Sequence, residues 1–298
     1  MNDINQNQPS IIENKTEIII TENNQIVNVR QATFHYLSEH PLYYFISILV
    51  VAVGVYFTYK TKIPHFVIFA LIVPLIIYNS ISGKMRGYLI EQFAKSLGYT
   101  YASRGDMTSV RGSLFSVGRS QVIKDVISGV DKNRPVRVFL YSYTVGGGKN
   151  SHTYNYTIFE TAFGSNMPHI LLHNPWLFLE GSTSTFSGTE HISLEGNFNT
   201  YFSLSVEKGF EMEAYEIFTP DFMEELIETS KTLGFEFSQN KLYIYMPKFV
   251  NTKAELDSMF ALSDKLCSQL EPVINSMRDD VKDMEEEVNQ GTQQKTGI

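Results

Sequence analysis

The sequence predicts an α+β fold: an N-terminal transmembrane helical hairpin followed by one mixed, mainly antiparallel sheet domain that ends in a long helix. Three observations carry that expectation. Two adjacent apolar runs, 42–59 and 63–81, contain no Asp, Glu, Lys or Arg. The middle of the chain is rich in Val, Ile, Tyr, Phe and Thr, cut at intervals by Gly, Asn and Pro, which is strand patterning. Beyond Thr252 apolar residues recur every three or four positions as far as Val288, which is helix patterning.

In chain order, residues 1–40 are expected to be a disordered tail with a short juxtamembrane segment. The first two dozen residues are mostly Asn, Gln, Glu and Thr with one apolar island, Ile18 to Ile20. That is too little apolar surface to offset ordering entropy. Val27, Phe34 and Leu37, with Tyr36 beside them, predict a short helix at a membrane surface before Pro41.

The hairpin is expected over 41–82. Runs of 18 and 19 residues, at about 1.5 Å each, cross a hydrocarbon core of roughly 30 Å. Tyr43, Tyr44, Tyr56, Tyr59 and Tyr78 stand near the run ends, where an apolar ring with a polar tip suits the boundary between lipid and water. Only Lys60, Thr61 and Lys62 separate the runs, so the helices must be antiparallel neighbours with both flanks on one side. Pro64 fits the first turn of the second helix, and Pro74 predicts a kink in it. Arg30, Lys84, Arg86 and Lys95 beyond the outer ends, against Lys60 and Lys62 at the tip, favour flanks in the cytoplasm. The expected location is therefore the cell membrane, with two spans and a cytoplasmic domain. A cleavable signal peptide is not expected after so long a polar lead without a small-residue cleavage site.

Residues 83–98 read as an amphipathic connecting helix, with Met85, Tyr88, Leu89, Phe93 and Leu97 on one face and Gly98 as its stop. The soluble domain is expected over 99–288. Strands are predicted around Arg119–Val130, Pro135–Val145, Thr153–Phe163 and Pro168–His173, then at Ile192–Leu194 and Tyr201–Val206. In the second of these, alternation separates Val136, Val138 and Leu140 from Phe139, Tyr141 and Tyr143, so both faces are partly covered. Gly146 to Asn150 reads as a hairpin turn and 181–189 as a polar loop. Thr219 as N-cap and Pro220 at the first position open a helix that Gly234 ends, before a hairpin turning at Gln239–Asn240. Thr252 and Glu255 form a capping-box pattern that opens the final helix. Its Leu266, Leu270, Ile274, Met277, Val281, Met284 and Val288 keep a heptad rhythm, interrupted at Pro272. That rhythm suits either packing on the sheet or self-association as a coiled coil. Residues 289–298 are a second expected disordered tail.

Several of these segments, namely Ile192, Leu194-Glu195, Phe198, Tyr201 to Leu204, Glu213-Ala214, Phe218 to Pro220, Phe222-Met223 and Leu242 to Ile244, resemble the C-terminal half of the bacterial family DUF3137. The resemblance is clearest from Ile192 to Met246. It implies two adjacent membrane spans near the N-terminus followed by one α+β domain of undetermined function, and it carries over no catalytic residues.

Composition narrows the chemistry. A net charge of −8, with no segment concentrating Lys and Arg, argues against nucleic acid as a partner. The single Cys267 excludes an intramolecular disulfide and a multi-thiolate zinc site, and its helix repeat predicts a small core residue. The run GGGKNS lacks the Ser or Thr after Lys that a phosphate loop requires, and a strand follows it. His169 and His173 are four apart, but in a strand context that separates them by roughly 13 Å, so they cannot share a metal directly. His152 and His191 reach them only through the fold. Ser113, Ser165 and Ser187 lie near glycines without a nucleophile elbow. Glu207, Glu211, Glu213 and Glu216 form an acidic segment that reads as a solvated face, and Trp176 reads as core. No catalytic, cofactor-binding or metal-binding constellation emerges.

The sequence thus predicts a membrane-anchored, non-catalytic module. It contacts the lipid bilayer through 42–59 and 63–81 and binds a protein partner or small ligand at the cytoplasmic face. A hydrolase with a site scattered in sequence would require His152, His169, His173 and Glu160 around one cleft. A self-assembling scaffold would use the C-terminal helix.

Overall fold

The computed structural model describes residues 28–175 and 189–295. The expected tail 1–27, Trp176 and nearly all of the expected polar loop lie outside the described residues. The chain forms two compact units, one running to Gly98 and including Val250–Leu256, the other comprising Tyr99–Phe249 and the chain from Asp257 on.

In the first unit, α1 (Val29–Glu39) starts at Asn28, whose side chain accepts from the Arg30 and Gln31 amides at 2.9 and 3.4 Å. That satisfies two of the donors a helix start leaves open. Residues 29, 33 and 37 share one face and are buried, whereas Phe34, one residue (about 100°) round the helix, is half exposed. The Phe34 ring meets Tyr78 at 5.8 Å, with Arg30 above it. Val29, Ala32 and Leu37 pack with Ile81, Met85 and Leu89.

Two long apolar helices follow, α2 (Pro41–Thr61) and α3 (His65–Leu97). Lys62 takes a left-handed conformation at φ 59° and donates its amide to Thr58, ending α2 and reversing the chain. The helices then lie side by side: Phe57 meets Phe66 at 5.7 Å, and a Cβ on Gly54 would stand only 2.5 Å from that of Ala70. α3 is one continuous helix through Pro74 and Ser82, closed by Gly98 at φ 71°. Both helices are long and apolar enough to cross a membrane. Their apolar side chains face outward: Leu42, Phe45, Ile48, Leu49, Phe69 and Ile76 are each at least 60 % exposed. Near the end of α3, Arg86 donates to the Val250 carbonyl and the Asn251 side chain, each at 2.9 Å, and Val29 donates to the Asn251 carbonyl at 2.8 Å. Those bonds tie the returning segment into this unit.

The second unit is built on a sheet in which, among the described residues, seven strands pair antiparallel. They are β1 (Thr100–Arg104), β2 (Arg119–Asp131), β3 (Arg134–Val145), β4 (His152–His173), β5 (Thr189–Ile192), β6 (Ser203–Glu207) and β7 (Gly234–Met246). The order is β1-β2-β3-β4-β6-β5, with β7 also on β4. The two strands expected at 153–163 and 168–173 are one strand of 22 residues, β4. Its register shifts between Ala162 and Ile170 let the strand pass Pro168, which has no amide to give the ladder. The hairpin expected at Gln239–Asn240 is likewise absent. Gln239 adopts φ 59° opposite Met167, so the chain bends there but continues pairing with β4.

Short helices complete the unit. α4 (Phe198–Tyr201) occupies the start of the strand expected from Tyr201, α5 (Glu211–Ile217) falls in the acidic segment, and α6 (Pro220–Thr229) ends before the predicted stop at Gly234. α7 (Lys253–Lys295) opens with a reciprocal capping box, Thr252 Oγ1 accepting from Glu255 N and Glu255 accepting from the Thr252 and Asn251 amides. On α7, Phe260 meets Phe159 edge-on at 5.0 Å, and Met259, Leu266 and Leu270 are buried. This stretch covers one sheet face; the heptad side chains from Ile274 on lie outside the described ones.

Gly54 lets α2 approach α3 closely at Ala70 and Phe66. Gly54→Leu should lower stability by about 1–3 kcal/mol through overpacking. Gly83→Ala, where an added Cβ meets nothing within 4 Å, should leave it unchanged or slightly raised. Thermal unfolding of the full chain in detergent checks both.

Candidate functional site

The sheet face opposite α7 is aromatic. Phe139, Tyr141 and Tyr143 of β3, Tyr156 of β4, and Tyr243 and Tyr245 of β7 are all buried there. Tyr143 stacks on Tyr156 at 6.0 Å and 14°, and Tyr243 on Tyr245 at 6.1 Å and 3°. The segment between β1 and β2 lies over this face, with Phe115 edge-on to Tyr141 at 5.1 Å and to Tyr243 at 5.3 Å.

A fully buried carboxylate, Glu236, sits within this interior. The Ser113 amide donates to its two oxygens at 2.9 and 3.0 Å, and Ser113 Oγ donates to Oε1. The Tyr245 hydroxyl donates to Oε2 at 2.5 Å, and His169 Nε2 lies 2.7 Å from Oε1. Burial, and then the Glu236 charge, push the Tyr245 phenol well above its ordinary range, so it stays a donor. Glu236 and Tyr245 are nine residues apart on β7, roughly 30 Å along a flat strand. Their hydrogen bond therefore requires β7 to curl, which the left-handed Gln239 permits. Gly112 lies against this contact: a Cβ there would be 2.7 Å from the Tyr245 hydroxyl.

A second polar cluster holds the same overlying segment. Arg137 grips Glu160 with two bonds, at 3.0 and 2.6 Å, and donates to Ser109 Oγ at 2.9 Å. Lys241 bridges Glu160 at 3.1 Å and the Ser109 carbonyl at 2.9 Å. The Arg111 amide donates to the Tyr243 hydroxyl at 2.9 Å.

Ser113, His169 and Glu236 are the residue types of a hydrolytic triad, but their geometry differs from one. In a triad the imidazole joins serine and acid through different nitrogens. Here Nε2 of His169 faces both, at 3.3 Å from Ser113 Oγ and 2.7 Å from Glu236, while the serine donates directly to the acid. Ser113 is also buried. The arrangement locks the segment 112–116 onto β4 and β7.

The other candidates are dispersed. His152 opens β4, exposed and opposite Val145. His173 is buried, and burial, then His191, push its pKa down to about 4. Glu160 belongs to the Arg137 cluster and His169 to Glu236, so these four share no cleft. Among the described residues no three His, Cys, Asp or Glu are placed to hold a metal. Cys267 is buried on α7 and burial pushes its thiol up to about 11, which suits a core residue. GGGKNS forms the tip between β3 and β4, with Gly146 and Gly148 left-handed. Of the acidic segment, Glu207 accepts from the His169 amide and Glu211 from the Gly209 amide, each at 2.9 Å. Ser187 and the Ser165 side chain lie outside the described residues.

One further feature was not legible in the sequence. An open groove of about 400 Å³ lies between the turn at Glu195–Phe198 and α6, with Met223, Glu224, Ile227 and Glu228 on its helical wall.

No family model and no curated protein sequence matches the chain. Among solved structures, the crystal structure of the mycobacterial trehalose monomycolate transport factor A, TtfA, is similar at a TM-score of 0.49 and 12 % identity, over 62 % of this chain and 94 % of that one. A likeness of that size assigns no function.

Removing Glu236 leaves the Ser113 amide and the Tyr245 hydroxyl buried without their acceptor, at about 1–3 kcal/mol each. Glu236→Ala should therefore lose about 3–5 kcal/mol and Tyr245→Phe about 1–3 kcal/mol, read from urea unfolding midpoints. His173 gives a pH dependence. Its folded pKa of about 4 lies below the ordinary histidine value of 6.5, so between those values the unfolded chain binds more protons. Its contribution is complete above about 6.5 and is lost as pH falls toward 4, on the order of 3 kcal/mol in all. His173→Phe should flatten that part of the stability profile, measured by denaturation across pH 4 to 7.

Proposed function

We propose that this chain is a membrane-anchored, non-catalytic module. α2 and the first part of α3 cross a bilayer as a hairpin, and the sheet unit binds a protein partner or small ligand at the cytoplasmic face. The observation that carries the anchor is the outward apolar surface of the two helices. A core helix of a soluble protein buries such side chains, whereas here only Gly54 of α2 is buried. At 21 residues, α2 is about 31 Å long, the thickness of a hydrocarbon core. The cations beyond the outer ends support the cytoplasmic orientation. The layout also fits the resemblance to DUF3137.

The grouping of Ser113, His169 and Glu236 supports a non-catalytic role, since their contacts hold a loop onto the sheet.

Membranes from cells expressing the full chain should retain it through an alkaline carbonate wash, and spheroplasts treated with protease should leave the sheet unit intact. Release by carbonate would contradict the anchor, and digestion of the sheet unit would reverse the orientation. Turnover of simple ester, phosphate or peptide substrates by the purified full chain would contradict the non-catalytic reading.

A further inference from the structure

We propose that the groove between Glu195–Phe198 and α6 docks a basic amphipathic segment of a partner protein, one presenting Lys or Arg and apolar side chains on the same face. This deepens the binding half of the proposed function and rests on it; the membrane anchor is independent of it.

The groove is a consequence of how α6 begins. Thr219 as N-cap and Pro220 at the first position fix its start, and from there residues 220, 223, 224, 227 and 228 fall on one face at steps of three and four. Phe222 and Leu226 are turned into the core on another face, which holds the helix in place. The wall above the floor therefore carries Glu224 and Glu228 one turn apart, with the partly buried Ile227 beside them. Phe198, at 1 % exposure, and Met223, at 7 %, supply an apolar floor, and Glu195 faces the helix from the opposite wall.

Charge selects the occupant. Glu195, Glu224 and Glu228 are exposed, and among the described residues none of them is ion-paired. Their neighbour Glu225, pointing away from the groove, is paired with Lys265. No described lining residue is a cation. Like charges at 224 and 228 stand one turn apart on this face and repel each other. The three carboxylates are not placed to share a metal ion. A wall of carboxylates over an apolar floor complements a helix whose Lys or Arg flank its apolar stripe.

The test uses the full chain in nonionic detergent, with fluorescence anisotropy corrected against empty micelles. The probe is a labelled 14-residue peptide of Leu and Lys with helical amphipathic spacing; the same peptide with Glu for Lys is the control. The Lys peptide should bind saturably and the Glu peptide should not. Glu195→Gln/Glu224→Gln/Glu228→Gln should weaken binding at least tenfold and Ile227→Ser several-fold. Asp131→Asn/Glu190→Gln/Glu216→Gln, which removes as much charge elsewhere, should leave it unchanged. Glu224→Lys/Glu228→Lys should exchange the preference in favour of the Glu peptide, an outcome that an unfolded variant cannot give. Equal loss in both neutralised triples, or binding of the Glu peptide by the unaltered chain, would overturn the proposal. So would a concentration-dependent dimer abolished by the groove triple, which would make a second copy the occupant. Retention in carbonate-washed membranes reports on the anchor separately, so failure of one is distinguishable from failure of the other.

Discussion

Outward-facing apolar side chains along two consecutive helices are the constraint from which the first unit follows. An α-helix satisfies its own backbone, so α2 and α3 need no water for their amides, and their side chains ask to be kept from it. Each buried methylene is worth about 0.8 kcal/mol, and residues such as Leu42, Phe45, Leu49 and Phe69 bury little within the fold. In the proposed anchor, lipid takes up that surface, and the close contact of Gly54 with Ala70 suits helix association there, where small residues permit close packing. Neither apolar run carries Asp, Glu, Lys or Arg.

The sheet unit follows a different logic. Its aromatic interior would be complete without a charge, yet Glu236 is buried in it. A carboxylate there is tolerable because its partners supply donors from three elements: Ser113 from the overlying segment, Tyr245 from the far end of β7, and His169 from β4. The same bonds fix the curl of β7 and seat the segment that covers the tyrosines. Arg137, Glu160 and Lys241 clamp the other end of that segment. The groove lies elsewhere, at α6, where Glu224 and Glu228 stand beside Ile227.

What could be read in advance was whatever depends on neighbouring residues. The apolar runs needed only composition, the capping box of Thr252 and Glu255 needed only spacing, and Thr219-Pro220 marked the start of α6 correctly. Continuity of β4 through Pro168 was not legible, because a proline reads as a break until a partner strand supplies a bulge that tolerates it. Gln239 was recognised as a turning point, but a bend and a reversal have the same local signature and only the pairing with Met167 decides between them. Ser113 and His169 stand out in the sequence by residue type; Glu236, which joins them, sits between Phe235 and Phe237 in a strand where alternation suggests a solvent face. Its burial arises from contacts more than fifty residues away in sequence. The groove is hidden for the same reason, since Glu195 and Glu224 meet only in the fold.

The most direct measurement concerns the surround of α2 and α3. Nitroxide labels placed singly at Leu49 and Ile76 of the full chain in liposomes report collisions with oxygen, which partitions into lipid, and with a water-soluble nickel chelate. A membrane hairpin predicts high oxygen and negligible nickel accessibility at both sites, with the reverse at a label on Ser103 of β1. Comparable nickel accessibility at Leu49, Ile76 and Ser103 would show that the helices face water, and the anchor would be refuted.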